Sequence, residues 1–247
     1  MGASSWLASS PINVEVRVHV LDDLEGLSPR AQAFLDRVGW RTPVGNVRLP
    51  TDYLRLPDRS GRWVLAPTEL IVRREGFADR FGGLRYAVRR SAVLNGQRVE
   101  TVRHWEFDLS EWVRCEPDGW SFGWTGERVS SPARYLVHTD RRFGVTLGGS
   151  FLEVSPSIYH LVEAHALMDE LADWYPVAES ALEPWAAGRH ADLSTDQAFA
   201  LEPVPEASGP CDRWLRSETV TVRMFDRWAD AQPRPTGVMA WTRYPSG

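Results

Sequence analysis

Lysine is absent from this 247-residue chain, so all 28 of its basic residues are arginine. The absence excludes catalysis through a lysine Schiff base and phosphate binding by a P-loop lysine. Cysteine is scarce, and Cys115 and Cys211 are too few for a disulfide framework. The N-terminus also lacks the basic and apolar regions of a secretory signal. We therefore expect a protein of the reduced cytoplasm.

Long apolar runs and an excess of positive charge are also missing. No apolar stretch reaches the roughly 18 residues of a transmembrane helix, so we expect no membrane partner. The net charge of −5 argues against nucleic-acid binding and is compatible with a basic protein partner. An apolar fraction of 43% and a charged fraction of 25% are typical of a globular chain with one core.

The clearest local pattern leads from a helix into a strand over residues 77–88. Phe77 and Phe81 are four positions apart, which places both on one helical face. Gly82 and Gly83 follow, and glycine ends a helix at low steric cost because it readily adopts the left-handed backbone. Apolar and polar residues then alternate, which is typical of a half-buried strand.

A tight hairpin is the second clear pattern. Asn95 and Gly96 are the preferred pair for a two-residue turn, and they join predicted strands over 85–94 and 97–107. Before residue 77, the sequence predicts a strand at 12–20, a helix capped by Ser28 and ended by Gly39, short extended pieces at 40–66 and a helix beginning at Pro67-Thr68. After the hairpin, it predicts strands near 110–114, 120–124, 133–138 and 142–147, and Gly148-Gly149 closes this run. A helix capped by Ser155 and stopped by Pro176 follows, then a helical piece near Ser194 and strands at 220–224 and 237–244.

These elements predict an α+β fold, with helices packed on a central antiparallel sheet and a C-terminal appended segment. Consecutive strands joined by short turns form an antiparallel meander. We expect one domain over residues 1–175. Residues 176–247 form an extension packed on the same core, because a separate domain of that size would be marginal.

Three side chains are candidates for catalysis, although no complete motif surrounds them. Cys115 could act as a nucleophile if His104 or His138, on neighbouring predicted strands, supplied the base. A single cysteine on a strand is more often a small buried hydrophobe. His160 and His165 are five positions apart and point about 140° away from one another on a helix, so we expect no metal site there. The chain also lacks phosphate-binding glycine loops and a serine-nucleophile elbow, and we expect no cofactor.

Acidic residues on outer positions of the closing helix form the predicted partner-binding surface, which consists of Glu163, Asp169, Glu170 and Asp173. Charge runs are usually only solvated, so a simple solvent-exposed face is the alternative interpretation. The same two interpretations apply to a second acidic run, which consists of Asp22, Asp23 and Glu25.

Three segments of the chain resemble the SUKH superfamily. Leu49-Pro-Thr-Asp-Tyr53 is similar to the family's Leu-Pro-x-Asp-Tyr element, and Phe81-Gly-Gly-Leu84 is similar to its glycine pair before a strand. The run from Ser155 to Leu167 resembles its closing helix. The resemblance covers about residues 28–175, and about seventy residues follow it. A further helical stretch separates the first two segments, which departs from the family's pattern.

The resemblance implies an α+β domain without catalysis, and many members of the family are bacterial immunity proteins that neutralise a cognate toxin. We therefore expect a non-catalytic protein-binding module whose partner is a protein, such as a basic toxin domain. Two alternatives remain at this stage. One is an enzyme that uses His104, Cys115 or His138 in a cleft, and the other is a structural subunit of a larger assembly.

Overall fold

The structure is a computed structural model that describes residues 18–44, 55–129, 132–178, 182, 201–226 and 237–244. The α-helices within these residues are α1 (Pro29–Val38), α2 (Thr68–Phe81) and α3 (Ile158–Leu171). The strands are β1 (Trp40–Arg41), β2 (Arg55–Pro57), β3 (Trp63–Leu65), β4 (Leu84–Leu94), β5 (Gln97–Glu116), β6 (Gly119–Glu127), β7 (Arg134–His138), β8 (Phe143–Thr146), β9 (Leu152–Ser155), β10 (Tyr175–Pro176), β11 (Glu202–Pro203), β12 (Asp212–Arg216), β13 (Val220–Phe225) and β14 (Gly237–Thr242).

An antiparallel seven-stranded sheet forms the centre, with the strand order β1-β4-β5-β6-β7-β8-β9. The predicted α+β fold is therefore confirmed. Asn95 and Gly96 join β4 to β5 with φ angles of 51° and 75°, as a tight hairpin turn with two left-handed residues requires. After this hairpin each strand from β5 to β9 pairs antiparallel with the next one along the chain.

The sheet differs from the prediction in two places. β5 is one continuous strand of 20 residues, where we expected separate strands at 97–107 and 110–114. It pairs first with β4 and then with β6, and its register with β6 shifts on both sides of Leu109, which lets one strand serve two partners. The glycine pair at 148–149 does not close the sheet, because β9 follows it and pairs with β8.

The first two helices begin and end as predicted. The hydroxyl of Ser28 accepts a hydrogen bond from the backbone N–H of Ala31, with Pro29 as the first residue of α1. Gly83 follows α2 with φ at 79°, and a Cβ there would lie 2.1 Å from the carbonyl oxygen of Thr42. A side chain is thus excluded at the point where the chain passes from helix to sheet.

The start and end of the closing helix were predicted wrongly. Ser155 is the last residue of β9, and Ser157 caps α3 without a side-chain hydrogen bond. The helix ends at Leu171, and Pro176 lies in β10. α3 is also buried on nearly every side, because it packs against α1, β4 and a short 3-10 turn at Pro205–Ala207.

The C-terminal residues form a second sheet of five strands, in the order β10-β14-β13-β12-β11. The predicted pairing of the two last strands is confirmed, with β13 antiparallel to β14. Trp214 and Trp241 belong to the main hydrophobic cluster, and the indole N–H of Trp241 donates to the carbonyl oxygen of Ser91 at 3.2 Å. The predicted strand at 12–20 falls mostly outside the described residues, as does the helical piece near Ser194, and residues 18–20 are not in a strand.

Candidate functional site

The three predicted catalytic side chains do not meet in one cleft. His104 and Cys115 both lie on β5, eleven residues apart, which is about 35 Å along an extended strand. Cys115 pairs with Trp120 on β6, while His138 lies on β7, two strands away from β5. A cysteine nucleophile requires a base within hydrogen-bond reach, so this arrangement does not provide the expected pair.

His138 instead belongs to a charged cluster at the turn between β7 and β8. Its side chain is 1% exposed, and its two ring nitrogens face carboxylates. Nδ1 lies 2.8 Å from an oxygen of Asp140, and Nε2 lies 3.3 Å from an oxygen of Asp118. Arg142 binds the same two carboxylates at 2.5 and 2.6 Å and also reaches Glu153 at 3.2 Å. The turn is thus held by one guanidinium among three carboxylates.

Asp118, His138 and Asp140 are also the one group of possible metal ligands that the described residues bring together. Hydrogen bonds from Arg142 lower the pKa of Asp118. Burial opposes a similar effect on Asp140, but hydrogen bonds from Arg142 and His138 outweigh it and lower the pKa of that carboxyl too. Because Arg142 already binds oxygens of Asp118 and Asp140, a cation would have to compete with it for the same carboxylates. The geometry therefore fits a structural ion cluster better than a metal site.

Glu163 was predicted to bind a partner, but the structure buries it beneath α1, with 3% exposure. Its carboxylate accepts hydrogen bonds from the backbone N–H and the hydroxyl of Ser28, both at 2.6 Å, and from Arg30 at 3.2 Å. This carboxylate supports the N-terminus of α1, where a negative charge is favourable. The expectation that Glu163 faces outward is wrong, because α1 covers that side of α3.

The three other residues of the predicted partner-binding surface also pair with arginines. They are Asp169 and Glu170 on α3 and Asp173 just after it. Asp169 is 1% exposed and accepts from the backbone N–H of Arg89 at 2.9 Å and from Arg37 at 2.5 Å, so it too does not face outward. Asp173 pairs with Arg89 at 2.8 Å but keeps a side-chain exposure of 68%. Glu170, at 34%, forms a forked pair with Arg216. Only Glu170 and Asp173 thus remain accessible to a partner.

A cleft that the sequence analysis missed lies between α2, the start of α3 and the β7–β8 turn. It has a volume of about 490 Å³, and Arg73, Arg80 and Arg141 line it together with Phe77 and Tyr159. Arg73 and Arg80 are seven residues apart, two turns of α2, so their common face was visible in the sequence. The position of Arg141 beside these two arginines was not visible in the sequence, because it depends on the packing of the β7–β8 turn against α2.

The hairpin formed by β2 and β3 presents large apolar side chains to solvent. Trp63 and Leu65 alternate along β3, so both lie on one face, and they are 65% and 70% exposed. The residues opposite them on β2 are Pro57 and Arg55, respectively. Leu56, which points the other way, is only 4% exposed and anchors the hairpin to the core. We call the face made by Arg55, Pro57, Trp63 and Leu65 the hairpin face.

Comparisons with known proteins do not identify a family for this chain. The sequence matches no family model, and searches of curated proteins and of solved structures found no similar protein. Among the described residues, no helix has both the length and the apolar character needed to cross a bilayer.

Proposed function

We propose that this protein is a non-catalytic protein-binding module of the cytoplasm and that it acts as an immunity protein that neutralises a cognate toxin. The SUKH-like segments of the sequence and the separation of His104, Cys115 and His138 support this proposal. The observation that carries it is the hairpin face, where two large apolar side chains remain in water on a surface anchored to the core.

The hairpin face has the chemistry of an interface centre. Burying a large apolar side chain is favourable by about 1.5–3 kcal/mol, and tryptophan is enriched among the residues that dominate binding energy. Trp63 and Leu65 are neighbours on one face, so a partner can cover both at once. The anchoring of Leu56 also keeps the hairpin in position before binding, which reduces the entropy lost on association.

Charge would contribute mainly to the rate of encounter. The net charge of −5 and the accessible carboxylates Glu170 and Asp173 favour a basic partner. Both carboxylates pair with arginines of this chain, so their contribution to affinity is smaller than that of the hairpin face. The proposed partner is therefore a toxin domain with a basic surface and an apolar pocket for Trp63.

The test is co-expression of this chain with toxins encoded beside it, followed by measurement of the affinity of the purified pair. We expect a tight complex with one of them, and we expect the double substitution Trp63→Ser and Leu65→Ser to weaken it at least about 100-fold. A matched control is Leu94→Ser with Val102→Ser, since these residues are 62% and 51% exposed on a different hairpin.

The proposal is contradicted if no neighbouring toxin binds tightly. It is also contradicted if a toxin binds but the hairpin-face variant and the control variant retain the same affinity, because the interface would then lie elsewhere.

A further inference from the structure

The cleft between α2, the start of α3 and the β7–β8 turn concentrates positive charge in a chain with a net charge of −5. Among the described residues, its lining includes three arginines, Arg73, Arg80 and Arg141, and one carboxylate, Asp23. The described lining thus carries two more positive than negative charges, whereas the whole chain has a net charge of −5. Clefts with walls of low dielectric constant focus such a field and attract ligands of the opposite sign. The cleft is therefore suited to an anion.

Two of the arginines are held in place by this chain. The Nε of Arg80 donates to the hydroxyl of Tyr159 at 2.7 Å, and its guanidinium lies 3.6 Å from Asp23. The Nε of Arg73 donates to the backbone carbonyl of Thr139 at 2.9 Å. These contacts orient both guanidinium groups before any ligand arrives, and such preorganisation favours binding.

Arg141 differs from them, because its guanidinium has no hydrogen bond or carboxylate partner within the described part of the chain. Its φ angle is 90°, in the left-handed region that favours glycine or asparagine. Its backbone N–H closes the turn by donating to the carbonyl of His138 at 2.9 Å. The turn would accept a glycine at this position, so an arginine there is unexplained by the turn itself. A role at the cleft explains it.

The apolar side chains of the lining indicate that the anion also carries an apolar group. Phe77, Phe81 and Tyr159 line the cleft with Val137 and Ile158. Phe77, Phe81, Val137 and Ile158 are core residues that expose only 3–6% of their surface, so they offer the cleft a small apolar floor. Aromatic rings pack well against a planar ring, and a bare inorganic ion would make no use of this floor. The volume of about 490 Å³ lies in the usual range of small-molecule sites.

The start of α3 completes the lining. Ser157 and Ile158 are at the first turn of this 14-residue helix, whose free N–H groups and dipole favour negative charge. Arginine also matches the oxygen geometry of a phosphate through paired hydrogen bonds. Positive charge, donors and apolar walls thus occur together in one cavity.

We propose that this cleft binds a small organic phosphate with a planar ring, of the size of a nucleoside monophosphate. The phosphate contacts Arg73 and Arg141 beside the start of α3, and the ring packs against Phe77 and Tyr159. This site is separate from the hairpin face, and its test does not depend on a protein partner.

The test is calorimetric titration of the full-length chain with adenosine 5′-monophosphate, phenyl phosphate, adenosine and inorganic phosphate. We expect at least one of the two organic phosphates to bind with a Kd below about 1 mM, with adenosine and inorganic phosphate each at least about tenfold weaker. The substitution Arg141→Gln should weaken the organic phosphate about tenfold. The control is Arg134→Gln, which removes the same charge at the exposed far end of β7 and should change Kd by less than about twofold.

Thermal unfolding of both variants checks that they remain folded, and an exposed turn residue such as Arg141 should tolerate the change. The proposal is overturned if neither organic phosphate binds more tightly than inorganic phosphate or adenosine. Equal weakening by Arg141→Gln and Arg134→Gln would overturn it as well, because the affinity would then reflect the general charge of the surface.

Discussion

Removal of the buried carboxylate of Glu163 should destabilise the protein far more than removal of the accessible carboxylate of Glu170. Both residues lie on α3, seven positions apart, and each pairs with an arginine from another element. Their side-chain exposures differ, at 4% for Glu163 and 34% for Glu170. The pair therefore isolates the effect of burial from the effect of removing a charge from this helix.

The magnitude follows from the groups that Glu163→Ala leaves without an acceptor. The backbone N–H of Ser28 loses the side-chain acceptor that it has among the described residues, and leaving such a part-buried donor unsatisfied costs up to about 1–3 kcal/mol. The hydroxyl of Ser28 also loses Glu163 as the acceptor of its own hydrogen bond, and this bond orients the hydroxyl that caps α1. Arg30 retains Glu206 at 3.2 Å, which limits the cost of its lost pair. We expect a loss of about 3 kcal/mol in the free energy of unfolding.

Urea denaturation at neutral pH, followed by tryptophan fluorescence, measures this change. Glu170→Ala should cost less than about 1 kcal/mol, because a partly exposed ion pair contributes little. If Glu163→Ala and Glu170→Ala had the same effect within error, the assignment of Glu163 to the support of α1 would be refuted.

Three further predictions concern backbone strain and pH. Gly83→Ala should lower the unfolding free energy by about 3 kcal/mol or more, because the new Cβ would lie 2.1 Å from the carbonyl oxygen of Thr42. The control is Gly96→Ala, which is also at positive φ but in open space and should cost only about 1 kcal/mol. Burial holds the pKa of His165 well below its usual value, so the unfolded chain binds a proton that the folded chain does not. Stability should therefore fall as the pH drops below about 6.5, by at most about 1.4 kcal/mol per pH unit from this group, and a His165→Gln variant measured by urea denaturation should show a flatter acid limb. Arg141→Gly should raise the unfolding free energy by about 0.5 kcal/mol, since it relieves a φ of 90°, and should weaken binding of organic phosphate to the cleft.

Local signals in the sequence were sufficient for most of the fold. The helix caps at Ser28 and Gly39, the glycine stop after α2 and the Asn95-Gly96 hairpin depend on neighbouring residues alone, and the structure confirms them. The α+β class then follows from the order of elements. The errors in the sheet depend on contacts between distant residues, whereas the cap of α3 was misplaced by two residues. The continuity of β5 past Phe107 and the addition of β9 are consequences of strand pairing, which no local pattern encodes.

The candidate sites were less predictable for the same reason. The outward face of α3 was assigned from its acidic residues, yet Glu163 and Asp169 are satisfied by Ser28, Arg37 and Arg89, which come from elements about 80–135 positions away in the sequence. A helical pattern shows which residues share a face but does not show which elements cover it.

A growth assay shows whether this protein neutralises a toxin through the hairpin face. Cells would produce a toxin encoded beside this protein together with the wild-type chain, the Trp63→Ser and Leu65→Ser variant, or the Leu94→Ser and Val102→Ser variant. We expect the wild type and the control variant to restore growth, and we expect the hairpin-face variant not to restore it. Failure of the wild type against every neighbouring toxin, or full protection by the hairpin-face variant, would contradict the proposed function.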